Sequence, residues 1–188
     1  MFVAHAPAGY LLTRGLRLRA PLWLGLLGSV FPDLDMLYFY LLDDRQHLHH
    51  SYWTHIPAFW VAMWLTGLAL THGRARKFRP WVHLFVASVL LHLALDTVCG
   101  GIRWLAPLST DSFRLFRVTT RHGWWVANFL LHWTALFEVV ILAASCVAVV
   151  RNLRARRSVS VPGCANRPGD YSCDKSVSVP KLLPQARQ

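Results

Sequence analysis

Residues 56–71, 81–98 and 124–150 form three apolar runs long enough, or nearly so, to cross the hydrocarbon core of a bilayer, which takes about 17 to 25 helical residues. Backbone placed in hydrocarbon must satisfy its own hydrogen bonds, so runs of this length fold as helices. The expected class is therefore an all-α integral membrane protein, a helical bundle with three to four spanning helices. Two shorter runs, 21–31 and 36–42, flank the tetrad PDLD. They are too short to cross straight and suit re-entrant or interfacial helices, tolerated where protein or a wet cavity covers their ends. A fourth span over about residues 11–31 is open, although Arg14, Arg17 and Arg19 interrupt it. Trp53, Trp60, Trp81, Trp104, Trp124 and Trp125 sit beside the ends of apolar runs, in the manner of the aromatic belts at lipid headgroup level.

The formal net charge of +11 raises nucleic acid as a partner. The cations, however, are clustered between apolar runs, as Arg74, Arg76, Lys77 and Arg79 and again as Arg151, Arg154, Arg156 and Arg157. Clusters confined to loops orient membrane proteins, and no nucleic-acid-binding motif accompanies them. Membrane lipids, not nucleic acid, are the expected surroundings. With both clusters in the cytoplasm the three runs alternate in direction. The loop 99–123 then faces outward despite Arg103, Arg114, Arg117 and Arg121.

After Arg157 the composition changes to SVSVPGCANRPGDYSCDKSVSVPKLLPQARQ, with SVSVP at 158–162 and again at 176–180. Such a segment cannot bury enough apolar surface to offset its ordering entropy. The expected organisation is a membrane-embedded domain, 1–157, followed by a disordered polar tail, 158–188. Cys99, Cys146, Cys164 and Cys173 have the spacing of neither a disulfide framework nor a zinc knuckle. The N-terminal segment lacks the order of features of a cleaved signal peptide, so targeting is expected from internal segments.

Against this apolar background the ionisable residues stand out, because each costs roughly 2.5 to 3.5 kcal/mol at the bilayer centre on insertion scales and so needs partners. HLALD in the second run puts His92 and Asp96 one helical turn apart on the same face. They are an intramembrane ion pair or half of a metal site. His83, nine residues before His92, faces the opposite side and is left out.

In PDLD, Asp33 and Asp35 share a face if the chain there is extended. Two neighbouring carboxylates repel unless a proton or cation lies between them; the alternative is a pair that caps the helix over 36–42. HLHHSYWTH, residues 47–55, brings four histidines to the mouth of the first run. His50 and His55 converge only if the segment between them turns, since five helical residues separate them by about 140°. This stretch is either a wet interface segment or a set of imidazole ligands.

Under the topology above, PDLD, HHSYWTH and the end of HLALD lie on the same side of the membrane. His132 lies two turns into the third run, and Glu138, the single glutamate of the chain, is deeper. Both suit a place behind the ligands, and Glu138 could instead pair with a neighbouring helix. His5 reaches the site only if the N-terminal segment is re-entrant. His47, His49 and His122 have weaker claims.

The order of these motifs, an early His in AHAPAG, then GSVFPDLD, HSYWTH and HLALDTVCGGIRWLAPLS, resembles the bacterial inner-membrane family of LexA-regulated, membrane-bound metal-dependent hydrolases. Their pattern runs H, PDxD, HRxxTH, HxxxD, G and P. The similarity covers about residues 1–140. It implies metal-ligand roles for His5, Asp33, Asp35, His50, His55, His92 and Asp96, with Gly101 and Pro107 shaping the following loop, and a multi-pass protein of the inner membrane. Ser51 stands where the family often has Arg, so substrate preference here can differ. The family's distant similarity to zinc-dependent phospholipase C and the zinc nucleases implies phosphoester hydrolysis.

The function expected is therefore that of a membrane-bound hydrolase using two or more divalent ions, zinc foremost, on a phosphoester or lipid-like envelope substrate. Asp33 or Asp96 would bridge the ions or orient the nucleophile. The alternative is a metal carrier or sensor using the same ligands without turnover, although the inner halves of the runs offer little polar path beyond Thr66, Ser88 and Ser145. Haem ligation by His92 and His132 would leave the acidic residues without a role.

Overall fold

The computed structural model describes residues 3–43, 46, 49–119 and 121–159. Among the described residues seven α-helices follow one another: α1 His5–Leu16, α2 Leu22–Val30, α3 Asp35–Leu41, α4 Pro57–Leu70, α5 Arg79–Asp96, α6 Trp125–Leu130 and α7 Ala135–Val159. Among the described residues there is no strand, only one isolated antiparallel bridge between Ile102 and Phe113. The tail from residue 160 onward lies outside the described residues, as does His47. Residues 1–152 form one compact unit, and residues 153–188, described as far as Val159, fall in a second.

Among the described residues, two helices are long and apolar enough to cross a membrane. One runs over Gly73–Asp96, a 3-10 segment leading into α5, and the other over Ala135–Arg156 in α7. A third is counted if the α2–α3 pair, bent by 51°, is taken as one broken span. The first apolar run forms α4, whose 14 residues extend about 21 Å, short of a hydrocarbon core of about 30 Å. The third run is not continuous: α6 ends at Leu130, and α7 starts at Ala135. No helix continues across residues 11–31 either. The chain leaves α1 at Arg17 with φ of 47° and re-enters helix only after Pro21.

PDLD is also not extended. Pro32 begins a 3-10 turn, Pro32–Leu34, that runs directly into α3, and no side-chain cap hydrogen bond forms there. A fixed proline φ suits the first position of a helical turn. This tight winding aims Asp33 and Asp35 at different partners.

The core lies where α2, α4 and α5 meet. Trp60, Val86, Val89, Leu93 and Ile102 are buried together, with Phe31, Phe59 and Phe85 packed around them. α2 lies against both α1 and α5. The approach to α5 depends on Gly28, where a Cβ would come within 2.7 Å of the Phe85 carbonyl oxygen and 3.0 Å of Ser88 Cβ. Small residues at such crossings let helix backbones come close in membrane proteins. Here the crossing brings the end of α2 beside His92. On α7, by contrast, Leu136, Val139, Val140 and Val147 are more than half exposed, as suits a surface that meets lipid.

Beyond α5, residues 97–116 fold back as a strap. Leu115 and Phe116 donate backbone hydrogen bonds to the carbonyls of Thr97 and Val98, and Trp104 Nε1 donates to Thr97 Oγ1 at 2.8 Å. Pro107 follows a cis peptide in this strap. Gly101 packs beside Ser112, 3.1 Å from where its own Cβ would stand to Ser112 Oγ.

Candidate metal centre

Asp96 is the hub. It ends α5, its side chain is 3% exposed, and four imidazoles surround it. His92 Nε2 lies 3.0 Å from Asp96 Oδ2, His5 Nε2 lies 3.1 Å from Oδ1, and the Nε2 atoms of His50 and His55 lie 3.6 and 3.7 Å from Oδ2. The one-turn spacing of HLALD makes the first of these contacts. The other three come from elements far away in sequence.

Each imidazole arrives by its own route. His5 opens α1, where its ring stacks on that of His92 at 3.9 Å between centroids. The N-terminal segment therefore turns into the site. His50 and His55 lie in two successive 3-10 turns, His49–Ser51 and Trp53–His55, separated by extended backbone at Tyr52. That break provides the turn the pair required, and their ring centroids are 5.0 Å apart.

Gly100 makes room for His50. A Cβ there would meet His50 Cε1 at 2.6 Å, a distance carbon atoms do not tolerate, and the Gly100 amide donates to the Asp96 carbonyl.

The carboxylates divide the work. Asp33, with its side chain 36% exposed, faces His5 Nδ1 at 3.4 Å and His92 Nε2 at 3.5 Å. Asp35 points elsewhere: its Oδ2 lies 2.8 Å from His55 Nδ1 and also accepts the Thr54 hydroxyl. An ionised carboxylate only accepts, so Nδ1 of His55 carries the proton and Nε2 presents its lone pair towards Asp96. His92 is fixed in the same sense by a different group, since its Nδ1 donates to the Ser29 carbonyl oxygen at 2.7 Å. A metal-binding imidazole is oriented in this way, by a carboxylate or carbonyl on the far nitrogen.

Single donor atoms of Asp33, His55, His92 and Asp96 all lie within 4.8 Å of one another, and the last three residues are buried. Two imidazoles and two carboxylates suit zinc or a related divalent ion. The buried Nε2 of His92 and both ring nitrogens of His5 face carboxylates without forming a directed hydrogen bond. The site also draws positive charge towards itself. Burial alone lowers the His5 imidazole, but contacts with Asp33 and then Asp96 outweigh it and hold the group raised, at about 9. A cation bound between the same carboxylates competes with that proton. The residues present therefore fit a divalent ion.

The remaining candidates sit apart from the hub or behind it. Glu138, at the first turn of α7, accepts the Val3 amide at 2.6 Å and so holds the backbone two residues before His5. His132 Nδ1 pairs with Thr134 Oγ1 at 2.9 Å, in a group with Cys99. His83 accepts from Trp64 Nε1, away from the site. His122 is exposed beside Asn128. Sequence reasoning missed Ser29, which acts through its backbone and so leaves no side-chain signal. It also passed over Thr54 as a partner of Asp35, although the hydroxyl lies within the HSYWTH motif.

No curated protein and no solved structure matches the chain. The profile of the family described as YdjM inner membrane protein does match, over residues 1–158, a stretch that includes every residue around Asp96. With its apolar helices and its cluster able to hold a metal ion, the chain belongs to the YdjM inner membrane protein family, a multi-pass family of the bacterial inner membrane.

Proposed function

We propose that the chain is a membrane-bound metal-dependent hydrolase acting on a phosphoester. The observation that carries this reading is the enclosure of Asp96 by four imidazoles, two of them oriented from behind, with one side left accessible at Asp33 and His50. A purely structural ion pair needs neither four imidazoles nor an open edge.

Bound at this cluster, a divalent ion such as zinc would lower the pKa of a water ligand towards neutrality and polarise a phosphoryl oxygen. The chain's own residues do the rest. Asp96 gathers the four imidazoles about one point. Asp35 and the Ser29 carbonyl keep the Nε2 lone pairs of His55 and His92 directed inward. Asp33, the carboxylate that solvent reaches, is the group able to take a proton from a nucleophile at Oδ1 or Oδ2, and general-base assistance of this kind contributes on the order of 10²–10⁴ in rate. His50, 26% exposed, borders the same edge and is placed to meet the substrate.

The test is hydrolysis by detergent-purified, zinc-loaded protein of a panel of phosphomonoesters, phosphodiesters and phospholipids, beside Asp33→Asn. Cleavage of one class that Asp33→Asn loses even when zinc is supplied to match the metal content of wild type supports the reading. Metal bound with no cleavage of any class favours a carrier or sensor.

A further inference from the structure

A groove of about 700 Å³ runs beside the metal cluster. That volume lies in the range of roughly 300 to 1,000 Å³ typical of small-molecule sites. Phe31, Leu34, Tyr38 and Trp53 supply most of its wall. Its inner edge meets the site at Asp35 and Thr54, which line the groove while Asp35 Oδ2 lies 2.8 Å from His55 Nδ1. The groove therefore reaches the carboxylate that backs His55.

Its wall is held in place by contacts among its own side chains. Trp53 packs on Phe59 at 4.6 Å between ring centroids, and Tyr38 meets Tyr52 edge-on at 5.5 Å. The Tyr52 hydroxyl in turn donates to Asp43 at 2.7 Å. Even so, Leu34, Tyr38 and Trp53 remain about half exposed. In a protein of the inner membrane the apolar material at hand to cover such a face is a lipid chain.

Resting on the hydrolase reading, we infer that this groove holds an acyl chain of the substrate, which makes the preferred substrate a lipid phosphoester whose head lies at Asp33 and His50. An acyl chain needs no hydrogen-bond partners along its length, and of the groove's polar groups Asp35, Thr54, Tyr52 and Asp43 are already engaged with one another or with His55. Such a wall discriminates by chain presence and length rather than by polar recognition.

The test has a binding arm and a turnover arm. Zinc-loaded full chain is reconstituted in phosphatidylethanolamine and phosphatidylglycerol bilayers containing a phospholipid with a diazirine in its acyl chain, then irradiated and mapped by peptide. Label is expected at residues 34–38 and 51–54. Ser51→Trp, which fills the groove, should abolish it there while leaving label at Val139, Val140 and Val147 on α7 and the metal content unchanged. Leu34→Trp is the second plug should Ser51→Trp fail to accumulate. In the turnover arm, cleavage of otherwise identical phosphoesters should rise with acyl length in wild type and lose that dependence in the plugged variant.

Absence of label from the groove, or label that Ser51→Trp leaves intact, overturns the inference even if water-soluble phosphoesters are cleaved. Groove label that the plug removes, with no ester cleaved, keeps the acyl-chain site and overturns the hydrolase reading instead.

Discussion

Asp35 Oδ2 stands 2.8 Å from Nδ1 of His55, a ring with no exposed surface. The pair makes Asp35 a positioning residue rather than one of the four whose donor atoms cluster, and a specific outcome follows. Asp35→Asn keeps an acceptor near His55 but removes the carboxylate charge that holds the ring from behind. Zinc affinity should fall about tenfold, at the lower end of the range of roughly 10- to 100-fold seen for such outer partners. Titration against a competing chelator measures it. Unchanged affinity would mean that His55 does not bind metal through Nε2.

Gly100 sets how close His50 comes to Asp96. In Gly100→Ala the new methyl group would overlap His50 Cε1, forcing the ring out or shifting the strap. Overpacking of this kind costs about 1 to 3 kcal/mol. Reduced metal retention with a small loss of thermal stability is expected. Gly15→Ala is the control, since nothing lies within 4 Å of a Cβ there. Equal behaviour of the two variants would show that His50 needs no such clearance.

Much of this was legible in the sequence, and the exceptions have physical causes. The i, i+4 spacing of His92 and Asp96 predicted their contact because a regular helix fixes that geometry. The convergence of His50 and His55 could be stated only conditionally, because it depends on extended backbone at Tyr52, a non-periodic feature. PDLD was open between an extended pair of carboxylates and a pair capping the next helix. Pro32 instead starts a 3-10 turn that feeds α3, and alternation of faces gives way to helical winding. The long third run concealed a break between α6 and α7, since hydropathy does not register a change in chain direction. His5 was conditional too, for the segment before it is tied by the Val3 amide to Glu138, 135 residues away.

That contact gives a third prediction. Glu138→Ala removes the acceptor of the Val3 amide and frees the segment that carries His5. A hydrogen bond to a charged group is worth about 1.5 to 3 kcal/mol, and this one is partly buried. The variant should still insert but retain less metal, and its N-terminus should be cut faster by added protease. Wild-type metal content together with wild-type protease resistance would show that His5 is held without Glu138.

Among the described residues, the side chains around Asp96 all lie between His5 and His92. A chain ending at Arg157 is expected to insert, to purify as a stable protein and to bind zinc as the full chain does. Loss of metal on truncation, measured by elemental analysis, would assign the tail a part in the site.

The central claim is that the imidazoles around Asp96 hold a divalent ion, and elemental analysis of the purified protein tests it most directly. Wild type, Asp96→Asn and His83→Gln are expressed with zinc supplied and compared after exhaustive dialysis. Asp96→Asn removes the charge on which four imidazoles converge, whereas His83 lies on Trp64, away from the cluster. Wild type and His83→Gln are predicted to retain at least one divalent ion per chain, and Asp96→Asn to lose it while still inserting in the membrane. Wild-type protein free of metal under these conditions, or Asp96→Asn carrying as much as wild type, would contradict the claim.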